Sequence, residues 1–407
     1  MTIIQREIEK DNKYGAHNYK PLPIVIQKGK GEYLWDVEGK KYVDLMSAYS
    51  AVSLGHSHPQ IVKEVINQVK TLAVTSRAMY NDRLPELLKQ LHELTGLDKS
   101  IPMNSGAEAV ETAIKLARKW GYQVKKVPKD KAIIVACENN FHGRTLGIIS
   151  MSTEDQYKED FGPLLPGIKI VKYDDIEALT NFFHEYGKEI VGFIVEPMQG
   201  EAGIISPHKD YLKKVRKLCD EYNVLLIADE VQTGLMRTGK LFCYMHDNIQ
   251  PDLLIMGKAL GGGVLPISAV SGKEEVLGLF KPGDHGSTFG GNPLACHVAL
   301  KSLELLSSKQ LEQKVNNLGN KAIKFLKNEL KNVSVVEEIR GQGLFIGIEF
   351  KKSLKAKDVV MKLLEYQIIT KDTHEQTIRI APPLIIKEKV LMDSLKIMVE
   401  IIKKYEN

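Results

Sequence analysis

Four short stretches in the middle of the chain are apolar at nearly every position: Lys131–Ala136, Ile190–Val195, Val224–Ala228 and Leu253–Met256. A strand with one wet face alternates apolar and polar residues, so continuous runs of this length require burial on both faces. Segments of helical period accompany them, Gly106–Trp120 and Asp210–Glu221 among others. Strands alternating with helices predict an α/β fold with a mostly parallel central sheet covered by helices. The 407 residues suffice for two or three compact units. After about residue 295 the texture changes. Leu294–Leu306 and Leu311–Leu330 are helical in period, and Val333–Phe350 reads as strand, turn, strand around Gly341-Gln-Gly343. A helix near Ala356–Tyr366, a strand near Thr377–Ile380 and a final amphipathic helix complete a smaller α+β unit. At the other end, Gly29–Asp44 alternates around a turn at Glu38-Gly39, a hairpin signal. The expected organisation is an N-terminal segment, 1–50, packing with the small unit, a large domain, 51–295, and a small domain, 296–407.

Composition removes several classes of function. The 56 basic and 51 acidic residues nearly balance, with a net charge of +5, and no basic block points to nucleic acid or an anionic membrane. No apolar stretch reaches the length of a bilayer span. The N-terminus contains acids and has neither the apolar core of a secretory signal nor the acid-poor pattern of a transit peptide, so a cytoplasmic protein is expected. Cys137, Cys219, Cys243 and Cys296 are far apart and read as reduced, packed thiols. His56 and His58 have no further ligand cluster near them, and no metal site is expected.

Two of the apolar runs end in chemistry. Val224–Ala228 leads into Asp229-Glu-Val231-Gln232-Thr-Gly234, and Leu253–Met256 leads into Gly257-Lys258-Ala-Leu-Gly-Gly-Gly263. Alone, Lys258 would be a solvated strand-end lysine and Asp229 a cap or turn residue. Together they deliver an amine and a carboxylate to the edge of a parallel sheet where ligands bind, outside the carboxyl ends of the strands. The amine can bond covalently to an aldehyde, and the acid can pair with a protonated pyridine nitrogen. A cofactor with both groups is pyridoxal 5′-phosphate (PLP).

Other segments fit such a ligand. Ser105-Gly106 opens a strongly helical run. A helix N-terminus offers free N–H groups to a phosphate, although a plain serine cap is the commoner meaning. His285-Gly-Ser287-Thr288-Phe-Gly-Gly291 is a second small, donor-rich loop. Asn139-Asn-Phe141-His142-Gly143-Arg144 follows a strand candidate: an aromatic ring there could stack on a pyridine face or simply pack, and Arg144 could take a carboxylate or stay on the surface. Nucleotide-fold signatures fail. Gly341-x-Gly343-x-x-Ile346-Gly347 misses the dinucleotide spacing and precedes a strand-like run, and Gly257-Lys258-Ala259 lacks the phosphate-loop pattern.

The Asp229 and Lys258 segments, with Ser105-Gly106-Ala107 and Gly286-Ser-Thr288-Phe-Gly-Gly, resemble the class III, fold-type-I PLP-dependent aminotransferases. More narrowly, five segments resemble the ornithine aminotransferases of that family: Gly15–Pro23 around Tyr19, Tyr49-Ser-Ala-Val, Asn140–Leu146, Glu196-Pro-Met-Gln-Gly-Glu201 and Arg379-Ile-Ala-Pro-Pro-Leu. The likeness runs essentially end to end. It implies that Lys258 holds the cofactor and moves a proton, Asp229 pairs with the ring nitrogen and Phe141 stacks on the ring. Gln232 would contact the phenolic oxygen, and Ser105, Gly106 and Ala107 would hold the phosphate. His142, Glu196, Val231 and Ser287 would complete the cofactor pocket. Thr288 would reach the phosphate of the neighbouring subunit, so a homodimer is implied. Relatives from eukaryotes often have Trp after the stacking Phe, so His142 is expected to change the outer wall of the pocket.

The resemblance also implies the substrates, ornithine and 2-oxoglutarate. Arg144 would bind the α-carboxylate of ornithine, Tyr19 its α-amino group, and Tyr49 would limit access. Arg379 would bind 2-oxoglutarate and be masked by Glu201 while ornithine reacts. An acetylornithine or other ω-amino acid aminotransferase would share Lys258, Asp229 and Arg144 but should not need Tyr19 or Tyr49. A PLP-binding module without turnover would not need the proton-transfer lysine.

Overall fold

The computed structural model describes residues 1–406. Three N-terminal strands, β1 (Ile26–Lys30), β2 (Tyr33–Asp36) and β3 (Lys41–Asp44), form an antiparallel meander. The main sheet contains β4 (Lys99–Met103), β5 (Ile133–Cys137), β6 (Ile168–Val171), β7 (Ile190–Val195), β8 (Leu225–Asp229), β9 (Leu253–Met256) and β10 (Ser268–Gly272). Its order is β4-β10-β9-β8-β7-β5-β6; β10 runs antiparallel to both neighbours and the other pairs are parallel. The central strands β5, β7, β8 and β9 are buried at every position, which is why their sequences are continuously apolar. Helix Gly106–Gln123 packs on one face, through Ala109, Ala113, Leu116, Ala117 and Trp120. Helices Ile176–Tyr186 and Tyr211–Glu221 cover the other.

The C-terminal part carries β11 (Val336–Gln342), β12 (Phe345–Phe350), β13 (Ile368–Ile369), β14 (Lys371–Thr373) and β15 (Thr377–Ile380). The order β11-β12-β15-β14 makes an antiparallel sheet, with helices Lys309–Leu330, Ala356–Glu365 and Glu388–Lys403 beside it. β13 instead adds in parallel to β3, so the N-terminal meander shares a sheet with the C-terminal part. Helix Ile3–Tyr14, by contrast, buries no residue in this chain. Helix Pro293–Leu306 packs on Pro59–Thr71 and Arg83–Thr95, elements of the large unit. Helix Lys309–Leu330, which follows it, packs on β11 and on helix Glu388–Lys403 instead.

Candidate active site

β4, β5, β7, β8 and β9 run in the same direction, so the loops after them meet at one sheet edge. Asp229 ends β8 and Lys258 follows β9 by two residues. Both line a cavity of about 200 Å³ with Gly106, Ala107, Phe141, His142, Gly143, Glu196, Val231 and Gln232. Ten residues from loops far apart in sequence thus converge, nine of them among the expected cofactor residues. A larger polar cleft of about 530 Å³, around Glu64, Arg83 and His297, lies away from this edge and has no such convergence.

Asp229 is 4% exposed. Its Oδ1 accepts the backbone N–H of Val231 at 3.1 Å and its Oδ2 accepts His142 Nδ1 at 2.6 Å. A carboxylate only accepts, so Nδ1 carries the proton. Burial alone would lower the His142 pKa, but the hydrogen bond and charge of Asp229 outweigh it and the net shift is upward. The His142 side chain lines the cavity, is fully buried and braces Asp229. Its Nε2 has no partner among the described residues. Glu196, after β7, accepts the N–H of Phe141 at 2.9 Å and of Gly200 at 3.1 Å. Burial, opposed by His142, pushes its carboxyl up to about 7.

Lys258 adopts φ = 44°, a left-handed conformation costly for a residue with Cβ. Burial pushes its ammonium below the ordinary lysine range, toward the neutral amine a nucleophile requires. Ser105 is an N-cap: its Oγ accepts the Glu108 N–H at 3.2 Å, and Glu108 accepts the Ser105 N–H at 2.8 Å. The plain capping role therefore holds, and the first helical N–H groups, of Gly106 and Ala107, remain available at the cavity. A Cβ at Gly106 would meet Val231 at 3.1 Å, so the close packing of this loop on the strand end favours glycine. Ser287 Oγ accepts Asn104 Nδ2 at 2.7 Å, which ties the second small loop to the residue before Ser105. Thr288 is exposed.

These groups fit PLP. The donor set of the cavity matches the ligand end to end, and the buried His142 Nε2 has no partner among the described residues. Free helix N–H groups suit the phosphate, Asp229 a protonated ring nitrogen, Phe141 a ring face and Lys258 an aldehyde.

Beyond the cavity lie two arginines in opposite states. Arg379, on β15, is 1% exposed and its Nη1 meets Glu201 Oε1 at 2.5 Å. Burial alone would raise Glu201, but Arg379 and Lys258 hold its carboxyl below the usual range. Gln232 Nε2 donates to the same Glu201 oxygen at 3.3 Å. Arg379 Nε and Nη2 have no partner among the described residues, and its guanidinium sits 4.7 Å from the Tyr49 ring centroid. Arg144 is exposed and has no ion-pair partner among the described residues; its guanidinium lies 3.4 Å from the centroid of Tyr157 and 5.5 Å from that of Phe141.

Tyr49 reaches Arg379 from an unusual turn. Ser47, Ala48, Tyr49 and Ser50 all have positive φ, between 43° and 73°, although none is glycine. Left-handed residues cost roughly 1–2 kcal/mol each. The surroundings hold the turn: Asp44 Oδ1 accepts the Met46 and Ser47 N–H groups at 2.8 Å each, and Ser47 Oγ donates to Ala381 at 2.6 Å. Buried Arg237 donates to Ser53 Oγ at 3.0 Å and to the Pro382 carbonyl at 2.6 Å. Strain of this kind persists only where the surroundings over-determine the backbone, and such positions cluster at ligand sites. Of the expected substrate residues, Tyr49, Glu201 and Arg379 come together, and Arg144 stands apart beside Phe141. Tyr19 is 79% exposed on the N-terminal segment, with no side-chain hydrogen bond among the described residues. The sequence reading missed the Tyr157 ring, because a loop tyrosine carries no signal of what it will stack on.

Comparison with known proteins gives the family. The model of the family Aminotransferase class-III matches residues 14–402. The chain is 50% identical over 384 residues to an ornithine aminotransferase of Brevibacillus brevis, covering 94% of each. An ornithine aminotransferase structure from Toxoplasma gondii with partial occupancy of PLP at the active site superposes with a TM-score of 0.96 at 41% identity, covering 98% of this chain and 94% of that one. An acetylornithine aminotransferase from Elizabethkingia anophelis gives a TM-score of 0.89 at 43% identity, covering 99% of this chain and 100% of that one. A likeness spanning nearly every residue, on the sheet-edge geometry described above, shows that the chain belongs to the class-III aminotransferase family.

Proposed function

We propose that this protein is an ornithine δ-aminotransferase, which moves the δ-amino group of ornithine to 2-oxoglutarate with PLP as cofactor. The observation that carries the reading is the pairing of a masked arginine, Arg379 on Glu201, with an unmasked one, Arg144. A transaminase that takes a terminal amine from one substrate and an α-amine from the other needs this asymmetry. The first substrate needs one carboxylate site, far from the reacting amine. The second is a dicarboxylate and needs two. In this reading Arg144 receives the α-carboxylate of ornithine and later the distal carboxylate of 2-oxoglutarate. Arg379, released from Glu201, receives the α-carboxylate of 2-oxoglutarate.

When bound, PLP supplies an electrophilic aldehyde and a ring that takes up the electron pair left by a broken C–H bond. The protein supplies the rest. Asp229, fixed by His142 and the Val231 N–H, keeps a negative charge at the ring nitrogen. Lys258 Nζ, made less basic by burial, takes a proton from the substrate carbon and returns it to the cofactor side. Phe141 would cover one ring face, and the helix start at Ser105, Gly106 and Ala107 would hold the phosphate. Gln232 and Ser287 orient the cofactor, and Glu196 and Val231 support the pocket from behind. Tyr49 orients the substrate chain, and Tyr19 receives the α-amino group of ornithine.

Thr288, exposed here, belongs in this reading to the phosphate site of a second subunit. The assembly is then a homodimer with shared sites, in the cytoplasm, and Thr288→Ala should weaken PLP binding without changing the dimer, as read by equilibrium dialysis and sedimentation. No helix of the described residues is long and apolar enough to cross a membrane. The near-full-length identity to ornithine aminotransferases favours ornithine over N-acetylornithine. Comparing kcat/KM for the two donors, with pyrroline-5-carboxylate as the readout for ornithine, tests the choice; a preference for N-acetylornithine overturns it.

A further inference from the structure

Arg144 is the carboxylate site of both half-reactions in the reading above, yet no hydrogen bond or ion pair holds it among the described residues. What it has is a ring. Its guanidinium carbon lies 3.4 Å from the centroid of Tyr157, close enough for face-to-face contact, while the Phe141 centroid is farther, at 5.5 Å. Tyr157 closes a short turn, Asp155–Tyr157, on a different loop from Arg144. That loop is tied to the Phe141–Arg144 loop by built contacts. Buried Asn140 donates through Nδ2 to the carbonyls of Cys137 and Met151, both at 2.6 Å, and the Asn139 N–H donates to Thr153 Oγ1 at 2.9 Å. The ring and the guanidinium therefore ride on one frame.

A planar guanidinium carries its N–H donors around its edge and none on its faces. A ring against one face fixes the plane and lets the edge groups point away, toward a carboxylate. We propose that Tyr157 is a positioning residue: its ring is the platform that holds Arg144 flat, with the N–H edge presented to the carboxylate of either substrate. The proposal rests on the assignment of Arg144 as that carboxylate site. It makes the ring, rather than the phenol hydroxyl, the working part. It also explains how Arg144 can serve two substrates in turn: a stacked arginine has no ion pair to break when one carboxylate leaves and the next arrives. Arg379, also stacked on a tyrosine but neutralised by Glu201, must break a pair each time.

The test uses PLP-loaded enzyme and glutarate, a dicarboxylate with no amino or keto group to react, titrated by calorimetry. Tyr157→Leu and Tyr157→Ala should each weaken glutarate roughly fivefold and raise KM for ornithine and 2-oxoglutarate by a similar factor, with kcat unchanged. Tyr157→Phe, which keeps the ring, should stay within about twofold of wild type. Arg144→Ala is run beside them. Weaker glutarate binding in Arg144→Ala with wild-type binding in both non-aromatic variants overturns the platform and leaves Arg144 as the carboxylate site. Wild-type binding in Arg144→Ala removes the assignment of Arg144 and the platform with it. A fall in kcat and thermal stability together, without a change in glutarate affinity, assigns Tyr157 a structural role and also overturns the proposal.

Discussion

Glu201→Ala should change which amine the enzyme prefers. Arg379 is 1% exposed and meets Glu201 at 2.5 Å, and the Tyr49 ring lies over its guanidinium at 4.7 Å. A hydrogen bond to a charged group contributes about 1.5–3 kcal/mol net. In the proposed reading, an α-amino donor such as glutamate must displace this bond before its α-carboxylate can reach Arg379. Ornithine, held at Arg144 in the same reading, leaves it in place. Removing the Glu201 carboxyl deletes a barrier of about 2 kcal/mol for glutamate, which corresponds to roughly a 30-fold gain in kcat/KM. Ornithine gains nothing, and a freed Arg379 draws its carboxylate to the wrong end. The ratio of glutamate to ornithine kcat/KM should therefore rise by at least roughly 30-fold. The assay is single-turnover mixing of the PLP-loaded enzyme with each donor, following cofactor absorbance. A ratio within about threefold of wild type would refute the gate and leave the Glu201–Arg379 pair as a structural contact. Glu201→Gln should fall between, because its amide can still accept from Arg379 without charge.

Two further substitutions probe the buried charges behind the cofactor site. Burial pushes Glu230 up to about 7, while Thr233 Oγ1 at 2.6 Å and the Tyr244 N–H at 2.8 Å favour its ionised form. A carboxyl raised on folding stabilises the protein fully below its unfolded pKa, and that contribution is lost as pH rises through the folded value; here it is on the order of 3 kcal/mol, lost between about pH 4.5 and about pH 7. Glu230→Gln should flatten this decline in urea-denaturation free energies, and an unchanged slope would reject the ionisation. His142→Leu removes the N–H that Asp229 Oδ2 accepts and leaves a nearly buried carboxylate with one backbone partner. Cofactor-free protein should lose about 3 kcal/mol of stability, and His142→Gln, whose amide still donates, should recover part of it; equal losses in both variants would contradict the bracing role.

The sheet was legible where burial on both faces wrote itself into the sequence. β5, β7, β8 and β9 are continuous apolar runs, and their ends gave Asp229 and Lys258. β4 and β10 were not legible. Lys99-Ser-Ile-Pro-Met and Ser268-Ala-Val-Ser-Gly contain Pro, Gly and Ser and become strands because each pairs with the other and β10 with β9. Long-range contacts were hidden for the same reason. His142 and Asp229 are 87 residues apart, and Glu201 and Arg379 are 178 apart; no local pattern joins them. The turn at Ser47–Ser50 carries no glycine or asparagine to announce its left-handed backbone, which tertiary hydrogen bonds impose.

In the proposed reading the cofactor is held covalently at one amine. PLP-loaded protein reduced with borohydride, digested and mapped by mass spectrometry should carry the pyridoxyl mass on the peptide containing Lys258 and on no other lysine. A label on a different lysine, or none on protein that has taken up PLP, would contradict it.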